Sequence, residues 1–154
     1  MKKITFILLV LLTTGTAFGQ TTVSTAAEII EAITFTEASG LNFGKVDNTA
    51  GTVIIDFDGT PSGTKSQITG GSPSAAVLNV TGEASESYNI ILSSTATLSG
   101  PGPDMNVTEI AHDANQTLDV DGKETVNIGG KLTVGTNQIA GSYSGSISIT
   151  VSYN

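Results

Sequence analysis

The sequence predicts an all-β fold, an antiparallel two-sheet sandwich, on three observations. Beyond residue 20 the chain is rich in Thr, Ser, Gly, Val and Ile, with apolar and polar residues alternating at period 2. Clusters of Gly, Asn, Asp and Pro punctuate those alternating stretches at short intervals. Helical periodicity is nearly absent: only "AEIIEAITF" lets a short helix compete, through Ala27, Ile30 and Ile33.

Eight stretches read as strands. The first, residues 26–38, is assigned to strand because Ile29, Ile33, Thr34, Phe35 and Thr36 are β-branched or aromatic, and Glu28 and Glu31 suit a solvated edge. Residues 41–46, 51–58 and 75–83 follow, separated by "DGTPSG" (58–63) and "GGSP" (70–73), whose Gly and Pro belong in turns. Residues 87–94 place Tyr88, Ile90 and Leu92 on one face and Asn89 and Ile91 on the other, which predicts a central strand with apolar contacts on both sides. Residues 106–113 and 124–135 come next, flanked by "SGPGP" (99–103) and "DVDG" (119–122). The last, 141–154, alternates most strictly, with Ile147, Ile149 and Val151 directed to the core and serines to solvent. The sequence stops directly after Tyr153 and Asn154, and we expect a strand from elsewhere to pair beside this one.

Three segments are expected: a signal peptide (1–19), an N-terminal arm or first strand (20–30), and one β-sandwich domain (31–154). Lys2 and Lys3 precede the apolar run 4–12, and small residues follow at Ala17 and Gly19, placing cleavage before Gln20. That run is too short for a membrane-spanning helix, so the mature chain is expected outside the inner membrane, without membrane insertion, in the periplasm and then at the cell surface. The chain has no cysteine, so an exported domain of this size would stand on its core alone.

After cleavage, Lys45, Lys65, Lys123 and Lys131 stand against fourteen acids, with no arginine. Scattered lysines on an acidic background exclude nucleic acid as an expected partner, because phosphate binding needs clustered cations. His112 is the only histidine, and "EIAHDAN" lacks the glycine-flanked nucleophile turn of a Ser/His/Asp relay, so no enzymatic activity is expected. One His without Cys cannot supply a usual zinc set, and no cofactor is expected. Asp56 with Asp58, and Asp119 with Asp121, are weak calcium candidates. Each pair precedes a glycine, but neither continues into a twelve-residue loop closed by Glu, so a hairpin turn is the favoured reading. The sequons at Asn79, Asn106 and Asn115 read as incidental in a bacterial chain.

The ordered pieces "LNFG", "VTGEASESYNI" and "GGKLTVGTNQIAGSYSGSISITVSYN" resemble a family of secreted bacterial domains of unknown function and, beyond it, spore coat protein U domains and archaic chaperone-usher pilins. The resemblance implies an immunoglobulin-like sandwich of about seven to nine strands. In pilins that sandwich is incomplete: a periplasmic chaperone fills its apolar groove, and after passage to the usher another subunit's N-terminal strand replaces the chaperone. The resemblance thus implies a pilin-like structural subunit of an appendage or coat, with other copies or related subunits, a chaperone and an usher as partners. It implies an acceptor or chaperone edge at Gly141, Ile147, Ile149, Val151 and Tyr153. The implied donor is the arm, in which Val23, Thr25, Ala27 and Ile29 share a parity, though Thr25 and Ala27 are small pocket-fillers. The pilin disulfide has no counterpart here. If residues 20–29 pair within their own domain, the chain is instead a self-complete secreted module for adhesion or ligand binding, using loops such as 58–74 and 99–106.

Overall fold

The computed structural model describes residues 21–154; the signal peptide read at 1–19 and its cleavage point lie outside them. The described residues form nine strands and no helix, paired antiparallel throughout. They are β1 (Thr34–Ser39), β2 (Gly51–Ile55), β3 (Pro61–Gly63), β4 (Ala76–Thr81), β5 (Tyr88–Leu92), β6 (Ala96–Leu98), β7 (Met105–His112), β8 (Lys123–Val134) and β9 (Ile149–Tyr153).

The long strand β8 organises the larger sheet. β7 runs along one of its edges, pairing Asn106 with Thr133 and His112 with Ile128. The other edge is shared in succession by β4, against Lys123–Ile128, and β2, against Gly130–Val134. The handover falls at Gly129, where a Cβ would stand 2.5 Å from the carbonyl oxygen of Ile55. Only glycine lets β2 come that close. β1 extends this sheet beyond β4, β3 beyond β2, and β6 beyond β7. The second sheet is the pair β5–β9, with Tyr88 opposite Tyr153 and Leu92 opposite Ile149.

Between the sheets the alternating residues bury two adjoining clusters. One gathers Phe43, Val53, Ile55, Val107, Leu132 and Val134; the other gathers Leu78, Val80, Tyr88, Ile90, Val126 and Ile128. Ile110 packs against both and joins them.

Several sequence expectations are corrected. Residues 26–33 are not strand, because they have no neighbour to complete a ladder, and the first strand begins at Thr34. Residues 41–46 make one isolated bridge, Asn42 to Ser74, and Gly44 then turns the chain with φ +75°. The terminal strand is regular only from Ile149; upstream it touches the facing chain at single points such as Ser99–Ser144. β5 is not central: it belongs to a two-stranded sheet and turns Ile91 outward, 58% exposed. Two strands of three residues, β3 inside the expected "DGTPSG" turn and β6, had no counterpart in the sequence reading.

Candidate functional site

β1, an edge of the larger sheet, and the C-terminal segment ending in β9 border an open seam, where Glu37 and Gly40 share a pocket with Ser146 and Ile147. Directly opposed residues of an antiparallel pair project to the same face. Phe35, opposite Val80, therefore points inward, yet Phe35 is 41% exposed while Val80 is fully buried. Across the gap, Val151 and Ile149 oppose Ile90 and Leu92 on β5. Ile90 is buried, but Ile149 and Val151 are only half-buried. β1 thus turns Phe35 and, opposite buried Leu78, Glu37 toward the seam, and β9 turns Ile149 and Val151 there, packed against the core but only partly covered by the described residues. Among the described residues, β1 pairs only with β4 and β9 only with β5, leaving one backbone edge of each unpaired.

The seam continues past β1 along residues 40–48 and past β9 back through residues 138–147. Midway it holds a pocket of about 220 Å³ whose lining includes Leu41, Ala96, Leu98, Val107 and Ile147. At its far end it widens to about 1040 Å³ between Phe43, Val46, Leu98, Met105, Leu132 and Tyr143. Gln138, buried beside this opening, donates from Nε2 to the carbonyl of Pro103 and accepts from Asn48 at its own carbonyl, bracing that wall. Lys65, its side chain almost wholly buried, ties down the adjoining loop by donating to the Asp47 carboxylate and the Thr49 carbonyl. The Lys65 ammonium, with the Thr49 hydroxyl and amide, holds the Asp47 carboxyl well below the usual carboxylate range.

The opposite end of the seam is shut by Tyr153. Its phenol donates to the carbonyl of Glu31 (2.7 Å) and accepts from the amide of Glu83 (2.6 Å), while the amide of Glu31 donates to Oε2 of Glu83 (3.0 Å). The ring lies against Gly82, where any Cβ would collide with the phenol oxygen. Before Glu31 the chain runs free: residues 21–30 are all exposed and have no regular structure.

Of the sequence candidates, Val23, Thr25, Ala27 and Ile29 therefore lie on a free segment, with Val23 82% and Ile29 96% exposed. Ile147, Ile149 and Val151 line one side of the seam, Gly141 borders its wide end, and Tyr153 closes its narrow end. Three of the four carboxylates weighed for calcium face their own turns, and Asp121 contributes its amide to one of them. Asp56 Oδ1 accepts from Phe57 N, Asp58 Oδ1 from Thr60 N, and Asp119 Oδ1 from Asp121 N and Lys123 N. The Thr60 amide and hydroxyl lower the Asp58 carboxyl's pKa. Among the described residues no three His, Cys, Asp or Glu side chains are placed to share an ion. His112 accepts from Ala114 N at Nδ1. Sequence reasoning missed the second wall, Ile33 to Asn48, and the Glu31–Glu83–Tyr153 contact. The inward parity of Leu41 and Phe43 signalled the wall, but nothing local links positions 31, 83 and 153.

An antiparallel sandwich with one uncovered seam and a free N-terminal arm defines the class. The chain belongs to the family described as domain of unknown function DUF4402, whose model matches residues 33–153, the sandwich without the free arm. No curated protein and no solved structure matches the chain.

Proposed function

We propose that this chain is a structural rather than catalytic subunit of a bacterial cell-surface appendage or coat, related to spore coat protein U domains and chaperone-usher pilins. It would be exported through its N-terminal signal. The arm of a second copy would complete the seam by strand addition, after a periplasmic chaperone has guarded it. The observation that carries this reading is the pairing of two unmet features. Core-facing Phe35, Ile147, Ile149 and Val151 are only partly covered, and among the described residues the period-2 arm has no partner. Strand addition meets both, with backbone bonds along the open edges and alternate side chains in the seam. Val23 to Ile29 spans about 20 Å when extended, enough to run the length of β9 (Ile149–Tyr153) and beyond it toward Ile147.

The rival reading, a self-complete module, needs the arm to fold back onto its own seam. Instead residues 21–30 are all exposed and unpaired among the described residues, and the chain is held only from Glu31, by Glu83 and Tyr153. Expression of residues 20–154 tests the choice by gel ladders without boiling, electron microscopy and binding of a labelled peptide of residues 21–31. Heat-labile ladders, filaments and peptide capture are expected. A chain that stays monomeric at all concentrations and refuses the peptide overturns the proposal.

A further inference from the structure

We infer that Tyr153 and Glu83 form a latch that fixes the root of the arm and presents residues 21–30 to a second copy of this chain. The inference rests on the strand-addition reading above. Glu31 is the first residue of the described chain whose backbone is held: its carbonyl by the Tyr153 phenol and its amide by the Glu83 carboxylate. The same phenol accepts the Glu83 amide, so both strand ends and the arm root share one node. Gly82 makes room for the ring at that node.

Ordering even one residue carries a substantial entropic cost, and a segment already held in its productive direction avoids that cost on association. With Glu31 bonded on both sides, the chain leaves the body in one direction, at the end of the seam opposite the wide opening. The arm is then positioned for a neighbour. With the latch broken, residues 31–33 add their own freedom, and the arm samples directions that lead to no partner or back along its own body.

The test compares the full mature chain with Glu83→Ala and, separately, Tyr153→Phe, each checked for fold by circular dichroism and thermal melting. Free peptide of residues 21–30 has no root, so it reports the seam alone. Glu83→Ala is expected to capture that labelled peptide within about twofold of the parent while assembling copy-to-copy about fivefold less, the value of one hydrogen bond. Tyr153→Phe, which removes two bonds, is expected to reduce assembly further. Unchanged assembly of both variants, with normal peptide capture, overturns the latch and leaves the seam reading intact. Failure of the parent to capture peptide overturns the seam reading, and the latch with it. If one variant does not fold, the other decides.

Discussion

If the arm enters a neighbour's seam with Val23, Thr25, Ala27 and Ile29 inward, Ile29→Ala and Ile30→Ala must differ sharply. Ile29 is 96% exposed, so nearly all its transfer free energy is still to be gained on insertion. Truncation to Ala removes three carbons at roughly 0.8 kcal/mol each, about 2.4 kcal/mol in all. That is about a sixtyfold loss of affinity. Ile30 has the opposite parity, and its truncation is expected to change affinity less than about threefold. Fluorescence anisotropy of labelled 21–31 peptides titrated with residues 20–154 measures both. Equal losses for the two peptides, or none for Ile29→Ala, would refute insertion as an alternating strand.

Three other perturbations test the framework around the seam. Gly82→Ala should displace the Tyr153 ring and lower stability by about 1–3 kcal/mol, read as a shifted thermal midpoint, because the added carbon meets the phenol oxygen and lies 3.1 Å from Leu118. Tyr88 is fully buried and donates to Glu124, and burial, then the carboxylate, push its phenol's pKa up. The stability this contributes is complete below about pH 10, the unfolded value, and drains as pH climbs above it. Tyr88→Phe should flatten that alkaline slope in urea midpoints and cost about 1–3 kcal/mol at neutral pH, since Glu124 loses its donor. For Asp47 the sign reverses: its carboxyl is depressed by Lys65, so the contribution is present above about pH 4 and lost as pH falls further. Asp47→Asn should therefore show a shallower acid limb in the same titration.

What was legible in the sequence depended on whether a segment's pattern and its partner agreed. β4, β7 and β8 alternate between turn residues and find neighbours, so their ends fall within a residue or two of expectation. Residues 26–33 alternate equally well but have nothing beside them, and a strand is a relation between two segments rather than a property of one. The same logic governs β3 and β6, each three residues long and created by the strand that faces it. It also explains Ile91, whose apolar character suggested a covered face that a two-stranded sheet does not provide.

The candidate site divides in the same way. Arm parity and the Ile147–Ile149–Val151 face are local patterns and could be read directly. The second wall and the Tyr153 node depend on contacts spanning much of the chain: Tyr153 to Glu31 is 122 residues apart. Where the fold departs most from its sequence pattern, at the arm and along the seam, it does so in two complementary ways: strand-like side chains without a sheet, and sheet edges without a strand. An exposed edge beside apolar side chains is an aggregation hazard unless a specific strand covers it. The DUF4402 match stops short of the free arm, so the two halves differ physically: the sandwich builds the seam, and the segment outside it carries the alternation suited to fill one. Substitutions in the arm should therefore change which seam it enters while leaving the sandwich's own stability untouched, since residues 21–30 are exposed throughout.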